Sequence, residues 1–159
     1  MNFSKKLDEK DIQILAALQA DGRIPNVDLA KKIELSPPST LDRIRRLENL
    51  GIIRKYSAVL DSDKLGFKLM ALTFISLSLH QEQPIERFRT AVKDMPEVLE
   101  CLHISGEFDF LLKIVVKDMK AYELYVREKL TKIKGIAKIQ TSFVLGVTKD
   151  TSELPFASL

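Results

Sequence analysis

The sequence predicts an α+β chain of two modules, an N-terminal bundle of three helices and a C-terminal module of order βαββαβ. Three observations predict this. Apolar residues recur at helical spacing between residues 7 and 53. A polar stretch with a glycine, "DSDKLGF", then interrupts the pattern. Beyond it, short runs rich in β-formers alternate with two helical stretches. The expected boundaries are residues 1–60 for the first module, 61–67 for a hinge and 68–159 for the second.

The first helix lies in "LDEKDIQILAALQADGR". Asp8 is a suitable N-cap with Asp11 three residues on, the spacing of a capping box, and Gly22 marks the end. Leu7, Asp11, Ile14, Leu15 and Leu18 share one face, and all but Asp11 are apolar. The second helix, "NVDLAKKIEL", starts at the cap candidate Asn26 and turns Ala30 and Ile33 inward. The third occupies "SPPSTLDRIRRLENLG": Ser36 caps it, Pro37 takes the first position where its missing N–H costs nothing, and Gly51 stops it. Leu41, Ile44, Leu47 and Leu50 are expected inside, and Ser39, Asp42, Arg43, Arg45, Arg46 and Asn49 outside.

Only Glu34 to Ser36 separate the second and third helices, the tight joint of a helix-turn-helix whose second helix enters the major groove. Arginine suits that task, because its planar fork binds a phosphate or the O6/N7 edge of guanine. The expected DNA-binding residues are Ser36, Ser39, Thr40, Asp42, Arg43, Arg45 and Arg46, with Arg54 and Lys55 extending the positive surface. No turn signal follows Tyr56 until Asp61, so a two-stranded wing is not expected. Charge agrees with a polyanionic partner. Residues 1–60 hold 11 Lys+Arg against 8 Asp+Glu, whereas the rest of the chain balances at 14 and 14.

In the second module "KLMALTFISLSL" alternates as a strand, with Thr73, Ile75, Leu77 and Leu79 against Ser76 and Ser78. "PIERFRTAVKDM" is a helix starting near Pro84, with Ile85, Phe88 and Val92 on one face. Strands "VLECLHIS" and "FLLKIVV" flank the turn "GEFD". A helix capped by Asp118 follows, carrying Tyr122, Tyr125, Val126 and Leu130 and ending near Gly135, and "IAKIQTSFVLGV" is the last strand. This is the ferredoxin-like order. In the third strand Phe110, Leu112, Ile114 and Val116 fill one face while Leu111 and Val115 sit on the other. Two helices cover only one face of such a sheet, so the second is expected to pack on another subunit.

Other chemistries fail on the residues. Cys101 and His103 lack further ligands beyond His80, so no metal site is expected, and one cysteine allows no internal disulfide. Ser105, His103 and Asp109 have no nucleophile elbow or oxyanion hairpin, and no Walker or dinucleotide glycine pattern exists. The chain is not expected to be an enzyme or to hold a cofactor. No apolar run reaches membrane-spanning length and no signal-peptide block opens the chain, so a cytoplasmic, nucleoid-associated location is expected.

A helix-turn-helix containing "LSPPSTLDRIRRLENLGII", followed by a module containing "ECLHISGEFDFLLKIVVKDM", resembles the Lrp/AsnC family of prokaryotic transcription factors, the leucine-responsive branch most of all. The resemblance runs from about Leu7 to Lys149 and departs from the common pattern at Pro38. It implies a sequence-specific regulator whose second module senses an amino acid, leucine or another neutral one, and forms homodimers that assemble further, as to octamers. It places the effector between subunits, near Ser105, Gly106, Glu107, Phe108 and Asp109, with Met119, Thr141 and Ser142 nearby. Asp109 would accept from the ammonium, and backbone N–H groups around Gly106 would hold the carboxylate. The alternative is an architectural protein that wraps DNA with little effector response.

Overall fold

In the computed structural model the chain divides into two compact units, residues 1–59 together with 149–159, and residues 60–148. The structure describes residues 7–78 and 82–156, with the side chains of 82–84 excepted. The expected strand position Leu79 and the second histidine, His80, lie outside the described residues.

The first unit contains α1 (Glu9–Ala20), α2 (Asn26–Lys32) and α3 (Pro37–Asn49). Asp8 and Asp11 form the reciprocal capping box at the start of α1. α1 ends at Ala20, ahead of Gly22. Asn26 is the first residue of α2 rather than its cap; its amide nitrogen donates instead to the Pro37 carbonyl (2.9 Å), tying α2 to the start of α3. The joint between them is closed by Leu35 N–H to Ala30 C=O (3.0 Å), with Glu34 in the left-handed region at φ 57°. Ser36 caps α3, and Gly51 (φ 69°) ends it as Ile52 N–H reaches the Leu47 carbonyl at 3.0 Å. The core joins Ile14, Leu15, Ala17, Leu29, Ile33 and Leu47.

The tail also belongs to this unit, which corrects the expected 68–159 boundary. The Gln19 side chain bonds both the Leu154 N–H (2.8 Å) and its C=O (3.2 Å), and Phe156 packs half-buried against the helical core. That contact spans 135 residues of chain, so no local pattern announces it.

The second unit is a four-stranded antiparallel sheet of order β2-β3-β1-β4, built from β1 (Leu69–Leu77), β2 (Val98–His103), β3 (Phe110–Val116) and β4 (Ile136–Phe143). Helices α4 (Glu82–Lys93) and α5 (Met119–Glu128) complete the βαββαβ order. α4 begins ahead of Pro84, and α5 gives way to a short 3-10 turn at Leu130–Lys132 before Gly135. Alternation places Ala71, Ile75, Leu77, Phe110, Leu112, Ile114 and Val116 against Phe88, Val92, Tyr122, Tyr125 and Leu130. The opposite face carries Met70, Leu72, Phe74, Leu111 and Val115, half-buried, and the exposed Leu102. The expected hinge is a folded turn: Lys64 N–H bonds the Asp61 carboxylate (3.1 Å) and Phe67 N–H the Ser62 carbonyl (2.9 Å).

Candidate functional site

The third helix is rotated relative to the amphipathic reading. Its buried residues are Thr40 and Leu47, flanked by half-buried Arg43 and Ile44, while Leu41 and Leu50 are exposed. Thr40 is therefore withdrawn from any DNA-facing surface, its hydroxyl donating to the Ser36 carbonyl at 3.0 Å. The Ser36 hydroxyl is itself engaged by the Ser39 N–H at 3.3 Å.

Arg43 and Arg46, expected to point outward, turn back onto α1. Arg43 Nη1 lies 2.9 Å from Asp11 Oδ1 and 2.6 Å from Asp8 Oδ2, and Arg46 Nη2 contacts Asp11 Oδ2. Asp11 is fully buried, and its Oδ2 also accepts the Asp8 N–H at 3.1 Å. A carboxylate away from water needs such donors, since a lone buried charge is costly. Both guanidiniums retain contact with water, at 29% and 44% side-chain exposure. The Arg43 guanidinium holds the Asp8 carboxyl below the usual carboxylate range, and its hydrogen bonds to Asp8 and Asp11 raise the pKa of Arg43 in turn.

With Arg43 and Arg46 engaged, the outward meridian of α3 is Pro38, Asp42, Arg45 and Asn49, one stripe at helical spacing and all exposed. Among the described residues the side chains of Asp42, Arg45 and Asn49 make no ion pair or hydrogen bond, and Arg54 and Lys55 are equally free and exposed. Tyr56 donates to Glu48 at 3.0 Å, and partial burial with that acceptor pushes its pKa to about 12. No strand forms between α3 and β1 among the described residues.

In the second unit the loop Ser105–Asp109 is built around Gly106 at φ 126°, a conformation closed to most side chains. Asp109 is structural as well as polar. Its Oδ2 accepts the Leu77 N–H at 2.7 Å, and its own N–H bonds the Ile75 carbonyl at 2.8 Å, so it pins the loop to the end of β1. Glu107 pairs with Lys138 (2.6 Å), and its carbonyl accepts the Ser76 hydroxyl (3.1 Å). Phe108 lies against Phe74, centroids 5.3 Å apart, under the Lys138 ammonium.

The other expected effector residues are dispersed. Thr141 points to the helix-covered side, where its hydroxyl meets Tyr122 Oη at 2.5 Å and Tyr122 meets buried Thr73 at 2.9 Å. Ser142, paired with Leu72, takes the opposite face. Met119 follows the C-terminal end of β3, whereas the loop precedes its N-terminal end, about 20 Å away at about 3.3 Å per residue. One protomer does not gather these residues.

Sequence reasoning missed the Asp11 anchor, although a carboxylate among Leu7, Ile14, Leu15 and Leu18 was its signal: such a group requires a cation. It also missed the Thr73–Tyr122–Thr141 hydroxyl chain, whose members come from three separate elements. Among the described residues no group of three or more potential ligands could hold a metal ion. His103 stacks on Phe110 and meets Arg89 at 3.1 Å, and burial pushes the Cys101 thiol up.

A helix-turn-helix with a guanidinium-bearing outward face, joined to a ferredoxin-like module with a polar loop at one sheet end, defines a DNA-binding regulator with a sensing domain. Comparison with known proteins makes this specific. Residues 7–54 match the model "Winged helix-turn-helix DNA-binding", and residues 70–154 match "Lrp/AsnC ligand binding domain". The chain belongs to the Lrp/AsnC family of DNA-binding transcriptional regulators. It is 41% identical over 150 residues to the leucine-responsive regulatory protein of Escherichia coli K12, covering 94% of this chain and 92% of that one. It is 39% identical to the transcriptional regulator AzlB of Bacillus subtilis, covering 94% and 95%. A Neisseria meningitidis transcriptional regulator, crystallised as a complex with L-Met, superimposes with a TM-score of 0.90 at 38% identity, covering 96% and 98%. No helix among the described residues is long and apolar enough to cross a membrane.

Proposed function

We propose that this regulator senses a neutral amino acid, with leucine or methionine foremost, at a site completed between protomers near Ser105–Asp109, and that binding shifts its assembly or its hold on operator DNA. The separation of Met119 from that loop carries the reading, because a site using both requires a second protomer. A ligand shifts assembly only if it binds one oligomeric state better, and a shared site meets that condition. The identities of the E. coli relative and of the L-Met complex support the ligand class. Gly106 supplies close backbone approach for a carboxylate, Asp109 the negative charge for an ammonium, and Phe108 an apolar wall.

The homodimer forms through the uncovered sheet face and assembles further, to an octamer or similar. Met70, Leu72, Phe74, Leu111 and Leu102 on that face support this, as do the exposed Val59, Leu60, Leu145 and Val147 in the segments bordering the second unit. Two-fold symmetry then favours operators with half-sites about one helical turn, ~10 bp, apart or a multiple of it. The protein works at the chromosome, in the cytoplasm.

Titration calorimetry of the full chain against the twenty amino acids, paired with sedimentation, tests the reading. Heat of binding for leucine or methionine with a shift in sedimentation is the expected result. If none binds at millimolar concentration, the sensing role fails and an architectural DNA-wrapping role replaces it.

A further inference from the structure

We propose that α3 divides its arginines between two tasks: Arg45 reads base edges, while Arg43 and Arg46 are positioning residues that fix the rotation of the helix. This rests on the DNA-reading function of the first unit and names the specificity-determining side chains within it.

The argument begins at Asp11. Its carboxylate is fully buried, and both oxygens are committed to guanidiniums from α3. Arg43 is further held by Asp8, so its Nη1 is shared between two carboxylates of α1. Drawing either arginine to DNA would strip donors from a charge that water cannot reach. The same contacts pull one flank of α3 toward α1. That rotation buries Thr40 and sets the stripe Pro38, Asp42, Arg45, Asn49 outward.

The chemistry of that stripe is legible. Among the described residues Arg45 makes no ion pair, so its fork is available for the O6/N7 edge of guanine. Asp42, three residues earlier on the same meridian, repels phosphate but accepts from the exocyclic amine of cytosine. Its position argues that the stripe faces the groove floor rather than the backbone. Leu41, exposed on the flank, offers an apolar surface to a thymine methyl. Phosphate contacts fall to Arg54 and Lys55, free and exposed beyond the helix.

The test is selection from a randomised duplex pool by the full-length chain and by Arg45→Ala, Arg45→Lys, Arg46→Lys and Arg46→Met, with thermal unfolding of each. Arg45→Ala should lower discrimination between the selected and a scrambled duplex by about tenfold or more, at an unchanged melting temperature. Arg45→Lys should weaken the preference at the position Arg45 reads while keeping the same base. Arg46→Met should lower the melting temperature and weaken binding to all duplexes together, and Arg46→Lys, which keeps a cation on Asp11, should restore both with the motif unchanged. A motif retained in Arg45→Ala, or altered in Arg46→Lys at wild-type stability, overturns the division of tasks. A wild-type chain that selects no motif overturns the sequence-reading function itself, and the assignment with it.

Discussion

The fully buried carboxylate of Asp11 in α1 is held by the guanidinium of Arg46 in α3, 35 residues along the chain. Arg43 takes its other oxygen at 2.9 Å. The orientation of α3 thus rests on an ion network under its inner flank, not on apolar packing alone. Replacing Asp11 by Ala removes the acceptor for both arginines and half of the capping box. Because both guanidiniums still reach water, the loss should be about 2–4 kcal/mol, at the lower end of what breaking a buried pair costs. Urea unfolding of the full chain, followed by helical circular dichroism, measures it; a change below about 0.5 kcal/mol would contradict the network's role.

Acid should loosen the same network. The Asp8 carboxyl has a folded-state pKa below its unfolded value, chiefly through its hydrogen bond from Arg43. A depressed carboxylate contributes stability that is present above the unfolded pKa, about pH 4, and is lost as pH falls through the folded value. Asp8→Asn should therefore flatten the stability profile of the helical unit below about pH 4 and leave its pH dependence near neutrality alone. Thermal melts of both proteins between pH 2 and pH 7 would show it.

Glu34 occupies the left-handed region at φ 57° in the joint between α2 and α3. A side chain there costs energy that glycine avoids. Glu34→Gly should raise stability by about 0.5–1 kcal/mol with no loss of DNA affinity, since the backbone already has the geometry glycine prefers. A destabilised variant would mean that the Glu34 side chain makes a contribution larger than its backbone strain.

The tail should matter to the helical unit, although it follows the sheet in sequence. Phe156 is half-buried against that core, and Gln19 holds Leu154 at both backbone groups. Phe156→Ala should cost about 1–2 kcal/mol, less than a fully buried phenylalanine. Hydrogen exchange should report the loss in α1 rather than in β1 or β3. Equal loosening of the sheet would refute the assignment.

Asp109→Ala should do two things rather than one. It should abolish an amino-acid response, and it should also free the Leu77 N–H at the end of β1, costing about 1–3 kcal/mol. Phe108→Ala separates the effects, because Phe108 packs on the surface ring of Phe74 and anchors no backbone group. Calorimetry and melting of the pair should find weakened ligand binding in both, and a large stability loss only in Asp109→Ala.

By itself the sequence determined the element order, the N-caps Asp8 and Ser36, and the alternation of β3. Each of these is local. Ser36 and Pro37 start a helix whatever surrounds them, and Phe110, Leu112, Ile114 and Val116 share a face because strand geometry repeats every second residue. The helix-turn-helix and its family resemblance followed from these short-range patterns. Tertiary structure decided the rotation of α3. Periodicity gave Leu41 and Leu50 an inward position, but in the fold both are exposed while Arg43 and Arg46 lean onto the buried carboxylate of Asp11 on another helix. Tertiary structure likewise decided that Asp109 secures a strand end, that Thr141 joins a hydroxyl chain through Tyr122, and that the tail closes over α1. Each contact joins residues remote in sequence, and the energy of such a contact depends on which partner the fold delivers.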